Sequence, residues 1–382
     1  MKTFESLASP SLWAIDPKIT FLNNGSFGAP PLEILQKRAR LAEELERNPL
    51  AGLASDYFDR LPALEKTMAD FVGADVAGFV FVPNATFAAN AVLGSLRFAA
   101  GDEVVVFPHR YPAVGGAALW FTERAGAKVV TTTLPDKLTS KQQLIDAYEE
   151  AMGPRTALVI VDHISSLSGI VFPLEEIIAL CRHKKVPVLV DGAHAPGQVE
   201  VALEKWQPDF YTGNFHKWLY APRPAAFLYV AKPWREIIHP PVISNFYGKG
   251  FKAEFSWCGT FDPTPLYVLE DGLQFHRKLG GPKLAERNRA LAAYGGGLLL
   301  EALGTPGYYS PDSPFFASMF AAPLFRTPKE DAPTLRQKFL REEGIEVHFA
   351  PFGKQMWIRL AAQAFNSGAD MEKLAASVKK LL

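Results

Sequence analysis

Residues 186–198, Val-Pro-Val-Leu-Val-Asp-Gly-Ala-His-Ala-Pro-Gly-Gln, carry the pattern that decides the fold class. A short apolar run that ends at turn residues is typical of a strand buried on both faces of a parallel sheet. Ligands of open α/β sheets bind beyond the carboxyl ends of the strands, so Asp191 and His194 stand where a site is expected. Taken alone, Asp191 also fits a carboxylate that caps a turn or a helix. No second carboxylate or histidine lies nearby at ligand spacing, and no metal is expected.

The same kind of run recurs along the amino-terminal two thirds of the chain and alternates with helical stretches. This alternation predicts an α/β protein with a large, doubly wound, mostly parallel sheet and right-handed crossovers. The predicted strands are Gly78–Val82, Glu103–Phe107, Lys128–Thr132, Ala157–Val161, Val186–Val190 and Ala226–Val230. The predicted helices between them are Phe87–Phe98, Ala113–Ala125, Lys141–Met152 and Leu174–His183.

The pattern changes in the last third of the chain, which predicts a smaller α+β domain. We expect three parts: an arm at 1–18 that packs on the small domain or a partner subunit, a large domain at 19–262 and a small domain at 263–382. In the small domain the predicted helices are Thr264–Leu279, Gly281–Leu303, Thr334–Glu343 and Asp370–Leu382, and the predicted strands lie around Phe315–Phe325 and Met356–Leu360.

Composition and charge exclude several classes of protein. The 382 residues hold 40 basic and 40 acidic side chains, and they lack the basic excess that binding to nucleic acid or an anionic membrane requires. The two cysteines, Cys181 and Cys258, are too few for a disulfide framework, so free thiols and a cytoplasmic location are expected. No signal peptide is expected, because the first residues lack an uninterrupted apolar run.

One uncharged span, Val76–Leu96, reaches membrane-spanning length. Pro83, Asn84 and Thr86 interrupt it, and this favours a strand, a turn and a helix instead. The turn, Asn84-Ala-Thr86, resembles an anion site, because a helix start offers free N–H groups and Thr86 adds a hydroxyl. A plain helix cap is the alternative interpretation.

A second informative segment, Asp209–Pro222, carries Lys217 just past a short strand, between His216 and Trp218. Burial and positive neighbours lower the pKa of a lysine, as an amine that forms a Schiff base requires. A surface lysine that lays its stem along apolar side chains is the alternative. A further segment, Phe107-Pro-His109-Arg-Tyr111, places aromatic rings after another strand end, where structural packing is the ordinary explanation.

The order of these segments is more specific than any one of them. An anion turn, an aromatic, Asp191 and then Lys217 is the order found in fold-type I enzymes that use pyridoxal 5′-phosphate (PLP). The chain resembles the class V aminotransferase superfamily, and within it the isopenicillin N epimerase-like proteins. The motifs that carry the resemblance are Phe21-Leu-Asn-Asn-Gly-Ser-Phe-Gly28, Asn84-Ala-Thr86, His109-Arg-Tyr111, Asp191-Gly-Ala-His194, Gly213-Asn-Phe-His-Lys217-Trp-Leu, Trp257-Cys-Gly-Thr260-Phe-Asp262 and Ile358-Arg359-Leu-Ala-Ala-Gln-Ala-Phe-Asn366.

The resemblance implies roles for individual residues toward PLP. Lys217 would form the Schiff base and carry the Cα proton. Asp191 would pair with the pyridinium nitrogen, and His194 would hydrogen-bond the phenolate oxygen. Tyr111 is expected to stack on the ring, with His109 as the other candidate. The phosphate would be bound by Ala85, Thr86, Asn214 and His216, with Thr260 from the partner subunit of a homodimer.

The substrate is expected to be a small amino acid. Arg359 would bind its α-carboxylate through the two-pronged geometry of a guanidinium, and Asn23 and Asn24 would line the entrance. One departure from the family is Ala221-Pro-Arg223-Pro224, where the family has glycine in place of the last proline. That proline restricts the loop after Lys217.

The resemblance identifies the cofactor better than the reaction. Epimerisation is the leading expectation, and transamination or Cβ elimination of the C–S lyase type are the alternatives, because all three start by removing the Cα proton. The stretch Gly344–Arg359 holds no cysteine, which argues against persulfide formation on a mobile-loop cysteine. A nucleotide-dependent oxidoreductase is a remote alternative, since Gly115-Gly116 and Gly295-Gly296-Gly297 lack the required spacing and context. A non-catalytic PLP-binding protein is another remote alternative.

Overall fold

The computed structural model describes residues 4–324 and 330–381. Its strands are β1 (Thr20–Phe21), β2 (Phe79–Val82), β3 (Glu103–Val106), β4 (Lys128–Thr131), β5 (Thr156–Asp162), β6 (Val188–Gly192), β7 (Phe210–Asn214), β8 (Ala226–Val230), β9 (Met319–Pro323), β10 (Ile345–Glu346), β11 (His348–Phe352) and β12 (Gln355–Ala361). Its helices are α1 (Leu32–Glu46), α2 (Pro49–Ala51), α3 (Tyr57–Phe71), α4 (Ala85–Ser95), α5 (Pro112–Ala125), α6 (Lys141–Ala151), α7 (Leu174–His183), α8 (Leu203–Trp206), α9 (Phe215–Trp218), α10 (Phe251–Ser256), α11 (Thr264–Tyr267), α12 (Leu269–Lys278), α13 (Pro282–Leu303), α14 (Ala332–Lys338) and α15 (Gly368–Leu381).

A seven-stranded sheet forms the large domain, in the order β2-β8-β7-β6-β5-β3-β4. Its strands are parallel except β8, which runs antiparallel to both of its neighbours, β2 and β7. Every residue of β2, β6, β7 and β8 is buried, as expected of strands that helices cover on both faces. This confirms the predicted doubly wound α/β class.

The neighbouring strands β5, β6 and β7 place polar side chains at one edge of this sheet. Asp162 on β5 is in register with Asp191 on β6, and Asp191 is in register with Thr212 on β7. Asn214 ends β7, and α9 with Lys217 follows directly. The carboxyl ends of parallel strands therefore bring these groups together.

A smaller antiparallel sheet, in the order β11-β12-β9, forms the carboxy-terminal region. The amino-terminal segment is attached to this region, because β1 pairs in parallel with β10. Further contacts are the hydrogen bond from Leu7 N to Ala364 O, 2.8 Å, and the edge contact of the Trp13 and Phe365 rings, 5.0 Å apart. The exact domain boundaries stay a prediction. Residues 1–3 of the arm, Phe325 and Leu382 lie outside the described residues.

Two features of the fold differ from the sequence prediction. The stretch Thr264–Leu279, predicted as one helix, is α11 and α12 with a break at Val268. The amino-terminal helices α1 and α3 were not predicted, and the latter contains Pro62. Within the described part of the chain, no helix combines the length and the apolar character needed to cross a membrane.

Candidate active site

A cavity of about 880 Å³ opens at the carboxyl edge of the large sheet, between that sheet and the smaller one. It brings together most of the residues that the sequence predicted for the site. The predicted residues in its wall are Asn23, Ala85, Thr86, Tyr111, Asn214, His216, Lys217 and Arg359.

Lys217 reaches this cavity from the short helix α9, and the amino-terminal loop fixes its main chain. The Nδ2 of Asn24 donates to the carbonyl oxygen of Lys217 at 3.0 Å. A Cβ atom at Gly28 would lie 2.1 Å from the same oxygen, so only glycine fits there. The side chain of Lys217 lies beside His194, whose Nε2 is 3.1 Å from Nζ.

The surroundings of Lys217 favour its neutral amine. Burial lowers its pKa to about 8, the positive charge of Arg359 acts in the same direction, and Asp191 opposes both. An amine must be unprotonated to act as a nucleophile or a base, so this setting suits the predicted role. The ring of Tyr111 lies over the same amine, with its centroid 5.9 Å from Nζ.

The lowered pKa predicts a pH dependence for the apoprotein. As the pH rises through about 8, the folded chain releases the Lys217 proton, whereas an unfolded lysine holds it to about 10.4. Between about pH 8 and about pH 10.4 only the unfolded chain still holds this proton. The free energy of unfolding therefore rises with pH in that range. Competitive acetylation read by mass spectrometry should show half-maximal labelling of Lys217 near pH 8, and near the ordinary lysine value in denaturant. Equal profiles in the two states would contradict the site described.

Asp191 is buried at the end of β6 and accepts a hydrogen bond from the N–H of Ala193 at 3.0 Å. Burial raises the pKa of Asp191, while the Ala193 N–H and Lys217 lower it. Beside it, burial and then Asp191 raise the pKa of Asp162 well above its usual range. Two neighbouring buried carboxylates need a cation to stay charged, and a protonated ring nitrogen of PLP would supply one.

His194 is buried beside Lys217, and the indole N–H of Trp218 approaches its Nδ1 at 3.5 Å. Burial, with Lys217 and Arg359, holds the pKa of His194 well below its usual value, so the ring is neutral. A neutral imidazole carries one N–H, which can donate to a ligand oxygen. His194 therefore fits the predicted partner of the phenolate oxygen.

The amino terminus of α4 forms another part of the cavity wall. Asn84 caps this helix by accepting from Phe87 N at 2.9 Å, and Asn214 accepts from Ala85 N at 3.0 Å. The side chain of Thr86 lines the cavity at this helix start, where N–H groups attract anions. Four cationic side chains line the cavity against one carboxylate, that of Glu346, and this excess suits a ligand with a phosphate. The four are Lys217, Arg223, Arg336 and Arg359.

Arg359 projects from β12 and is 1% exposed. It donates to the carbonyl oxygen of Ser166, and its second terminal nitrogen lies 3.3 Å from Ser26 Oγ. Its Nε is buried without a hydrogen-bond partner, and burial lowers the pKa of the guanidinium to about 10. A buried cation with an unused donor is the arrangement that a carboxylate ligand completes.

Three predicted residues take other places. His109 is 1% exposed and packs on Phe352 and Trp357, with ring centroids 4.0 and 5.2 Å away, and it is not part of the cavity wall. Asn24 uses both ends of its amide on main-chain groups, so it supports Lys217 rather than lining the entrance. Thr260 is exposed and lines a separate cavity of about 220 Å³.

The structure adds residues that the sequence did not suggest. Arg336 on α14 makes two 2.6 Å hydrogen bonds to the carboxylate of Glu346 on β10, and Asn23 donates to the same carboxylate at 3.1 Å. His348 on β11 lies in the wall next to them. No linear motif joins these residues, because strand pairing and the packing of α14 bring them together.

Neither cysteine takes part in this site. Burial, with the charge of Glu254, raises the pKa of Cys258 to about 11, so its thiol stays protonated. Cys181 is buried in the core around α7. No cysteine stands among the described residues that line this cavity.

Fold and cavity together define an α/β protein whose cavity holds both a lysine amine and a buried arginine. The profile of the class V aminotransferase family matches residues 31–356. The chain is 31% identical to putative L-cysteine desulfhydrase 1 of rice (Oryza sativa subsp. japonica), over 94% of this chain and 83% of the relative. It is 28% identical to isopenicillin N epimerase of Streptomyces clavuligerus, over 96% of each.

Solved structures show the same fold. A cysteine desulfurase from Thermococcus onnurineus NA1 superimposes with a TM-score of 0.78 at 18% identity, over 95% of this chain and 94% of that one. A cystine C–S lyase, solved with cysteine persulfide, gives 0.79 at 21% identity, over 95% and 98%. The protein belongs to the class V aminotransferase family. The predicted family, fold type I, enzymatic function and PLP cofactor are thereby confirmed.

Proposed function

We propose that this enzyme removes the Cα proton of a small L-amino acid with Lys217 and then expels a sulfur substituent from Cβ, as a C–S lyase. The observation that carries the proposal is the placement of one lowered-pKa amine and one buried guanidinium in a single cavity. Relatives named L-cysteine desulfhydrases, 31% and 30% identical over nearly the whole chain, support the choice of sulfur.

Each residue has a separate task in this scheme. Arg359 binds the α-carboxylate and so fixes the substrate relative to Lys217. The amine of Lys217 takes the Cα proton and holds it. PLP, when bound, would supply an electron sink for the pair left at Cα, and Asp191 and His194 would hold its ring nitrogen and phenolate oxygen.

Elimination needs fewer groups than epimerisation. The Cα–H and Cβ–S bonds break, the pair from Cα forms the Cα–Cβ double bond, and the thiolate leaves with the pair of the Cβ–S bond. Hydrolysis of the three-carbon product gives pyruvate and ammonia. One base suffices, and Lys217 is the only lysine among the described residues of the cavity wall.

Epimerisation is the second candidate, and the relatives named isopenicillin N epimerase favour it. Inverting Cα requires a proton donor on the side away from Lys217. The phenol of Tyr111 stands in the cavity wall and is 42% exposed. Isopenicillin N epimerases, 28% and 29% identical over 96% of this chain, are consistent with this reaction.

Incubation of the PLP-loaded enzyme with L-cysteine in deuterated water separates the candidates. The proposal predicts sulfide and pyruvate in equal amounts, with no D-cysteine. Deuterium at Cα with inversion would instead establish epimerisation, and a keto acid without sulfide would establish transamination. The proposal fails if sulfide is not released from cysteine or another thiol amino acid.

We also propose a homodimer in which Thr260 serves the partner's site. Thr260 is exposed, and its own cavity shares Pro83 and Pro224 with the cavity of Lys217. A second copy that covers this surface would bring the hydroxyl close to the anion-binding end. A cytoplasmic location stays a prediction.

A further inference from the structure

His348 is the first residue of β11, where its side chain enters the wall of the active-site cavity. The strand register places it directly opposite Arg359 on β12. Opposed residues of an antiparallel pair point to the same face, with Cβ atoms roughly 5 Å apart. His348 and Arg359 therefore approach the cavity side by side.

The imidazole of His348 has no hydrogen-bond partner among the described residues. Its side chain is partly exposed and lines the cavity, so a ligand bound there can reach it. Polar groups inside proteins are nearly always hydrogen-bonded, which makes the cavity's ligand the natural partner.

The other small-domain groups of the wall already have partners. Arg336 and Glu346 bond to each other through two contacts of 2.6 Å. Arg359 is the group suited to the substrate carboxylate. Among the described polar side chains that the small domain adds to the cavity wall, His348 is thus the one with neither a protein partner nor an assigned ligand group.

The charges around His348 define its chemical form. Burial lowers its pKa to about 3, and the cations that face it, Arg359 on β12, Lys217 on α9 and Arg336 on α14, act in the same direction. The nearest acidic group in the wall, Glu346, is engaged with Arg336. The ring is neutral at working pH and offers one N–H donor and one acceptor nitrogen.

The covalent structure of an amino acid decides which part of it His348 meets. With the carboxylate on Arg359, the Cβ carbon is two bonds away from the carboxyl carbon and its substituent three. That substituent falls within reach of a side chain adjacent to Arg359. We propose that His348 hydrogen-bonds the Cβ substituent and so selects amino acids that carry a polar group there, a thiol above all. The proposal rests on the proposed function.

A paired comparison tests this role. L-Cysteine and L-2-aminobutyrate have the same shape, but a methyl group replaces the thiol in the second. Both report proton removal by deuterium exchange at Cα in deuterated water, with cysteine measured at initial rates together with sulfide. In H348F the ratio of the KM for cysteine to the KM for aminobutyrate should rise about three- to tenfold, the loss of one hydrogen bond.

Two conservative variants and one control sharpen the comparison. In H348N and H348Q an amide stands in for one ring nitrogen. The variant whose amide lies closer to the position of the bonding nitrogen should restore most of the wild-type KM ratio. H183F changes an exposed histidine at the end of α7 and should leave the ratio unchanged. The absorption spectrum of the bound cofactor and the melting temperature verify that each variant is folded and loaded.

The outcomes separate the two proposals. If the KM ratio of H348F equals that of the wild type, the role of His348 is overturned, even when both KM values rise. The residue would then act through Arg359 or through packing. A wild type that neither releases sulfide from cysteine nor exchanges the Cα proton of aminobutyrate overturns the proposed function, and the role of His348 falls with it. A raised ratio that H348N or H348Q restores supports it.

Discussion

Replacing Lys217 with alanine should yield a folded protein that exchanges the Cα proton of its substrate at least 10²- to 10⁴-fold more slowly than the wild type. The residue is the amine that faces the cavity, and its pKa of about 8 leaves part of it neutral at working pH. No other lysine of the described cavity wall can take over. Deuterium exchange measured by NMR, with PLP in excess, gives the rate.

A matched lysine serves as the control. Lys205 is largely exposed and pairs with Glu175 at 2.9 Å, so Lys205→Ala should retain wild-type exchange. The wild type should also be yellow, and borohydride should bleach it and fix the cofactor on Lys217, whereas Lys217→Ala should fix none. Retention of exchange by Lys217→Ala would assign the proton transfer to another group.

The sequence predicted the large sheet well because its strands carry their own signal. The runs at β3, β4, β5 and β8 are β-branched or aromatic and end at turns, so pattern and structure agree within a residue or two. The helices α1 and α3 were not predicted, and Pro62 interrupts the helical pattern of α3. The break between α11 and α12 falls at Val268, whose backbone leaves the helical conformation, and neither glycine nor proline marks that position in the sequence.

The site shows the same division between local and tertiary information. Asp191 and Lys217 follow strand ends, a position that sequence alone reveals. Asp162, Arg336 and His348 reach the site through strand register and domain packing, which a linear motif does not encode. The burial of His109 among rings likewise depends on Phe352, far away in the chain.

Replacing Arg359 with alanine should cause the second large loss of activity. The residue is buried, its Nε lacks a partner, and the neighbouring cavity arginine Arg336 is paired with Glu346. Arg359→Ala removes the charge and the guanidinium fork to which the proposed function assigns the substrate carboxylate. Loss of one member of a buried, hydrogen-bonded charge pair costs about 2–5 kcal/mol, so kcat/KM should fall by at least about 30-fold.

Arg359→Lys tells charge from geometry. A lysine keeps the positive charge but cannot make two parallel hydrogen bonds, so it should recover only a small part of the loss. Arg124→Ala, which removes an exposed arginine stacked on Trp120 at the end of α5, is the matched control and should leave kcat/KM unchanged.

The decisive comparison uses cysteine and its amine analogue cysteamine, which has no carboxylate. Arg359→Ala should weaken only cysteine as a ligand, measured as displacement of the cofactor's absorption band. An equal loss for both would mean that Arg359 maintains the shape of the cavity and that another group binds the carboxylate.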